Sequence, residues 1–136
     1  DAKYIILEIT ENSLIDNEEE IIKIMTTLKT SGIRFSLDDF GTGYSSLSYL
    51  QKYPLDNLKI DKSFINDISE ETKNNKLLNA IIGLGKSLNL HIICEGVETE
   101  MQYTLLKKQQ ITSIQGYYFS KPLPFNQFVD FIKEHN

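Results

Sequence analysis

Two carboxylates, Asp38 and Asp39, stand side by side in SLDDFGTGYSSL (residues 36–47), between an apolar run and a Gly-Thr-Gly turn. Adjacent like charges repel, and beside an apolar strand they also lose hydration. Other apolar runs end in comparable groups. LEITE carries Glu8 and Glu11, LKID carries Lys59 and Asp61, CEGVE carries Glu95 and Glu98, and IQGYYF carries Gln115. A lone acid at a strand end is usually solvated or caps the next helix. Five strand ends that all carry such groups point to a shared site. Carboxylate oxygens are hard ligands and no His–Cys cluster accompanies them, so the implied ions are Mg²⁺ or Mn²⁺ rather than zinc or copper. One carboxylate can bridge two such ions. A two-metal site activates water and stabilises the attacking and leaving oxygens of a phosphodiester. Lys59 could orient the nucleophile or offset phosphate charge. Its ordinary explanation is a lysine snorkelling from a strand end.

The elements that must position these groups alternate along the chain. Five apolar runs read as strands: Tyr4–Ile9, Ile33–Leu37, Asn57–Ile60, His91–Cys94 and Ile111–Phe119. Most are nearly continuous, which predicts parallel strands covered on both faces. Between them, Asn17 can cap a helix with Ile21, Ile22, Met25 and Leu28 on one face, and Gly32 suits its end. A short helix around Leu47–Leu50 stops before Pro54. Leu77, Ile81, Leu84 and Leu88 mark a longer helix. Thr99 and Gln102 resemble a capping box for the next, and Phe125, Phe128, Val129 and Ile132 mark a final one. Alternating strands and helices imply a parallel sheet with right-handed crossovers. On pattern alone, a doubly wound sheet and a barrel both remain open. Because successive strand residues face opposite ways, Asp38 and Asp39 can share a site only where the strand ends or bulges. Phe40-Gly41 is the expected break.

The 136 residues are 40% hydrophobic and 24% charged, enough for one domain with a core. A net charge of −5 gives no basic footprint for DNA. A phosphate substrate would then need a cation to offset this acidity. One cysteine, Cys94, excludes a disulfide framework and suits a reducing cytoplasm. No apolar run reaches transmembrane length. The chain opens almost inside a strand without Met, as a piece of a larger polypeptide would, including one attached to a membrane. GLGKS (residues 83–87) hints at a P-loop, but the pattern needs glycine where Ala80 stands, so a core helix is expected. Cys94 is expected to be packed, His91 and His135 have no partner pattern, and Tyr117, Tyr118 and Phe119 suit packing at least as well as stacking on a base.

Taken in order, LEITE, DDFGTGYSSL, LKIDKSFI, EGVET and QGYYFSKPLP resemble the EAL-domain phosphodiesterases that hydrolyse the bacterial messenger cyclic di-GMP. The motifs run from Leu7 to Pro124. The resemblance implies an α/β fold, residues 1–136 forming about five β/α units from the C-terminal portion of a TIM-type (β/α)8 barrel, without its N-terminal strands. By position, Glu8 is similar to a ligand of one metal, Asp38 to the bridging ligand, and Asp39 and Glu95 to ligands of the second. Lys59 resembles the lysine that contacts the attacking water. Gln115 and Glu98 resemble its supporting residues, and Glu11 the glutamate that anchors the loop after the Asp pair. That loop, Phe40–Leu47, resembles one that links the active site to a dimer interface. The implied product is linear pGpG.

Two departures accompany the resemblance. No Glu-Ala-Leu triplet occurs, and the segment that supplies a metal-binding Asn is absent, so the chain alone is expected to be inactive or impaired. Gln110, Ile111 and Thr112 replace the family's usual residues before the fifth strand. A partial barrel leaves two sheet edges open. Association is therefore expected, as a homodimer or with the missing N-terminal half. The alternative reading is a module that binds cyclic di-GMP without cutting it. A phosphoacceptor domain ranks low, because its acidic pair should follow the first strand.

Overall fold

The computed structural model describes residues 1–14, 17–41, 47–66, 68 and 75–135. Among these residues five strands form one sheet: β1 (Ile6–Thr10), β2 (Arg34–Phe40), β3 (Asn57–Ile60), β4 (His91–Cys94) and β5 (Ser113–Ile114). The helices are α1 (Glu18–Thr30), α2 (Leu47–Lys52), α3 (Lys62–Asn66), α4 (Asn75–Ser87), α5 (Glu100–Lys108) and α6 (Phe125–His135). The sheet order is β1-β2-β3-β4-β5 and every pairing is parallel. A doubly wound sheet reverses direction at a switch point. This sheet never does, so every crossover steps the same way, as in a barrel.

β3 is central and buried along its length, its polar Asn57 and Lys59 included. β1 departs from the expectation of cover on both faces. It is an edge strand, and Ile6 and Leu7 remain exposed. The core lies between the sheet and its helices: Phe35, Leu37, Leu58, Ile60, Ile92 and Cys94 meet Met25, Ile65, Leu78, Ile82 and Leu106. GLGKS lies within α4, where Gly85 is buried. Burial pushes the Cys94 thiol up to about 12, so it packs as an inert hydrophobe.

Local signals translate unevenly into structure. The Thr99–Gln102 capping box forms, and Gln102 Nε2 also donates to the Ile65 carbonyl at 3.2 Å. Gly32, at φ +93°, ends α1. Asn17 does precede α1, but it sits at φ 55° with no side-chain cap. In that left-handed conformation the amide does not reach the first turn, and Glu18, Glu19 and Glu20 meet the positive helix end instead. β5 is two residues rather than nine. After Ile114 the chain turns, and Tyr118 N–H donates to Val97 O at 2.9 Å. Tyr118 and Phe119 pack with the ring of Tyr103. The base of the sheet is tied to α1 by Asp56, which accepts from Lys29 Nζ at 2.6 Å and from Phe35 N–H at 2.9 Å.

Candidate active site

Parallel β/α units place every strand's C-terminal end on one face. There Lys59, on central strand β3, is only 6% exposed. Its ammonium lies 2.8 Å from Glu8 Oε1 on β1, 3.1 Å from Asp38 Oδ1 on β2 and 2.6 Å from Glu95 Oε1 after β4. The Glu95 contact is close but poorly angled, an ion pair more than a formed hydrogen bond. Burial opposes the Lys59 charge, but the carboxylates of Glu8, Glu95 and Asp38 outweigh it and hold its pKa above the ordinary lysine value.

The Asp pair is accommodated by a bulge. Leu37 pairs with Leu58 and Phe40 with Ile60, so three steps along β2 match two along β3. Asp39 takes φ 55°, a conformation Asp tolerates better than most residues. Its N–H donates to Asp38 Oδ1 at 3.1 Å. The bulge therefore falls on the pair itself, and the strand ends just after it at Phe40-Gly41, where Gly41 takes φ +93°. Just beyond, Gly41 N–H donates to Glu11 Oε1 at 3.2 Å. Residues 42–46 of the expected coupling loop lie outside the described residues.

Not every strand-end group joins Lys59. Asp61 caps α3, accepting from Ser63 N–H at 2.9 Å. Burial would raise its pKa, but the Ser63 hydroxyl and N–H and the Lys62 charge lower it overall. Glu98 and Gln115 have exposed side chains, and none of their polar atoms meets Lys59. Gln115 is held through its backbone, which donates to Cys94 O at 2.8 Å and accepts from Val97 N–H at 3.1 Å. Two buried polar residues lie outside the expected set of site residues: Ser36 and Asn57, each two positions before a site residue. Polar residues alternating with apolar ones in β2 and β3 are the available signal.

The donor chemistry suits a hard divalent cation. Among the described residues, however, no three acidic, His or Cys side chains are grouped to cage an ion. Glu8, Asp38 and Glu95 instead gather around an ammonium.

The family model for the EAL domain matches residues 1–122. The chain belongs to the EAL domain family. Signaling protein YkoW of Bacillus subtilis is 47% identical over 94% of this chain and 16% of its own length. Cyclic di-GMP phosphodiesterase NbdA of Pseudomonas aeruginosa is 41% identical over 98% of this chain and 17% of its own. The EAL fold here superposes on the MucR phosphodiesterase of that bacterium, solved with c-di-GMP, with a TM-score of 0.84. That match has 40% identity and covers 93% of this chain and 51% of the other. Klebsiella pneumoniae BlrP1, solved with cyclic di-GMP and manganese or calcium, gives a TM-score of 0.79 and 29% identity over 89% of this chain and 31% of its own. The chain thus spans about a sixth of those curated relatives. Its five β/α units have the TIM-type architecture of EAL domains.

Proposed function

We propose that this EAL chain contributes to a cyclic di-GMP phosphodiesterase that opens the cyclic dinucleotide to linear pGpG. One ring P–O bond is replaced by a bond to a water oxygen, and a proton passes to the leaving sugar oxygen. The observation that carries this reading is the convergence of Glu8, Asp38 and Glu95 on Lys59 from four neighbouring strands. Glu8 and Asp38 would hold one Mg²⁺ or Mn²⁺, with Asp38 shared, and Asp39 and Glu95 the second. Such a pair of ions supplies a nucleophilic water at neutral pH and neutralises charge on the phosphate. Lys59, kept cationic, stabilises negative charge as it grows on the phosphoryl oxygens and holds the attacking water in line. Glu11 holds Gly41 and so the start of the loop beside the Asp pair. Glu98 and Gln115 act as supporting groups at the rim. The complexes of MucR and BlrP1 with c-di-GMP support the choice of substrate.

The test is hydrolysis of cyclic di-GMP to pGpG, followed by chromatography with Mg²⁺ or Mn²⁺ and with chelator. It compares this chain with any longer polypeptide that carries it. The longer polypeptide is expected to turn over and to stop when chelated, whereas this chain alone is slow or inactive. No turnover by the longer polypeptide would defeat the enzyme reading.

The same chain is expected to associate. β1 and β5 are edge strands. Tyr4, Ile5, Ile6 and Leu7 are exposed along one edge, and Phe125, Phe128 and Ile132 along α6. Such apolar edges favour pairing with a second copy or a complementary half-barrel. Light scattering is expected to report a dimer or larger species, and a monodisperse monomer would contradict this. No described helix is long and apolar enough to cross a membrane. With one buried thiol, the reading places the domain in the cytoplasm.

A further inference from the structure

Directly beneath the Lys59 cluster lie two buried polar atoms with no partner among the described residues, Ser36 Oγ and Asn57 Nδ2. Ser36 is 0% exposed and Asn57 3%. They face each other across β2 and β3, and Ser36 faces Glu8 across β1. Residues two apart on a strand share a face. Ser36 therefore shares the face of Asp38, and Asn57 that of Lys59. The Lys59 ion pairs mark that face as the site's. Glu8, whose Oε1 lies 2.8 Å from Lys59 Nζ, is the register partner of Ser36 on the neighbouring strand.

A buried hydroxyl or amide without a partner bears its whole desolvation cost. The amide nitrogen can only donate, whereas the hydroxyl can donate or accept. One water accepting from Asn57 and exchanging a bond with Ser36 satisfies both. A buried water needs two to four polar partners, and the ammonium or the Glu8 carboxylate supplies the next. We propose that Ser36 and Asn57 hold a buried water under Lys59 and are positioning residues for its ammonium. The catalytic part of this rests on the phosphodiesterase reading. Glu8, Asp38 and Glu95 are the groups that would turn to a divalent cation. The neutral partner below is then what keeps Lys59 in place.

Thermal melts of this chain test the water through Ser36→Ala, Asn57→Leu and the double variant. Each single change is expected to lower Tm, and the double variant to lose no more than the worse single, because both remove the same water. Truly orphaned atoms would give unchanged or higher Tm on apolar replacement. That result, or additive losses, overturns the proposal. A high-resolution crystal structure is expected to show one water within hydrogen-bond distance of both atoms, and a protein side chain filling that place would also overturn it. In a longer polypeptide that hydrolyses cyclic di-GMP, Ser36→Ala is expected to lower kcat about 10-fold with KM unchanged. Ser36→Thr, which keeps the hydroxyl, is expected to restore it. An unchanged kcat in Ser36→Ala removes the positioning role. Absence of hydrolysis in the unsubstituted polypeptide removes the phosphodiesterase reading, while the melts and the crystal still decide the water.

Discussion

Lys59→Met is expected to cost on the order of 3–5 kcal/mol of stability, the range for stripping one partner from a buried ion pair. The lower end applies, because Glu8 is half exposed and solvent screens part of the repulsion. Methionine fits the space but leaves Glu8, Asp38 and Glu95 facing one another without a cation. Denaturation in urea measures the loss. The pH dependence identifies its cause. In the unsubstituted chain the folded Lys59 binds its proton more tightly than the unfolded chain does. That contribution is complete at and below the unfolded value, about 10.5. It is lost as the pH climbs from there through the higher folded value. The variant should lack this alkaline loss. Hydrolysis by the longer polypeptide should fall by about 10²–10³ when this cation is removed. A variant as stable as the parent at pH 7, with the same alkaline limb, would show that the cluster contributes little.

Gly116→Ala is expected to be nearly as damaging, for steric reasons. A Cβ at Gly116 would meet the backbone of Val97, within 2.7 Å of its carbonyl carbon and closer still to its nitrogen and oxygen. Backbone cannot rotate aside as a side chain can. Val97 N–H donates to Gln115 O at 3.1 Å and Val97 O accepts from Tyr118 N–H at 2.9 Å, so the clash sits between two hydrogen bonds. Overpacking costs about 1–3 kcal/mol and occasionally more. The upper end is expected here, a fall in Tm of roughly 10 °C. Gln115 and the segment from Glu95 to Glu98 should be displaced together, since Val97 links them. Gly83→Ala is the control. A Cβ at Gly83 would meet no atom within 4 Å, and alanine favours helix by about 0.5–1 kcal/mol. It should leave Tm unchanged or higher. Equal melts for the two substitutions would refute the close approach at Val97.

Patterns within a few residues were legible in the chain. Apolar runs with helical stripes between them predicted the β/α alternation, because burial on two faces and on one leaves different periods. Asn57–Ile60 and His91–Cys94 match β3 and β4 end for end, and the capping box formed because its bonds span three residues. Strand-end acids and one lysine marked where chemistry could occur, since a β/α order brings those ends to one face. Other features depended on distant contacts. The choice between sheet and barrel winding rested on strand order. The bulge that admits Asp38 and Asp39 exists only relative to β3. β5 shortened because Val97 and Gln115 draw the chain into a turn, and α3 is too short to show a period. Sequence determined which groups were available and on which strands they stood. Tertiary structure decided that Glu8, Asp38 and Glu95 meet at Lys59, that Asp61 instead caps a helix, and that Ser36 and Asn57 lie beneath them. Those pairings join residues tens of positions apart, and only packing sets such distances.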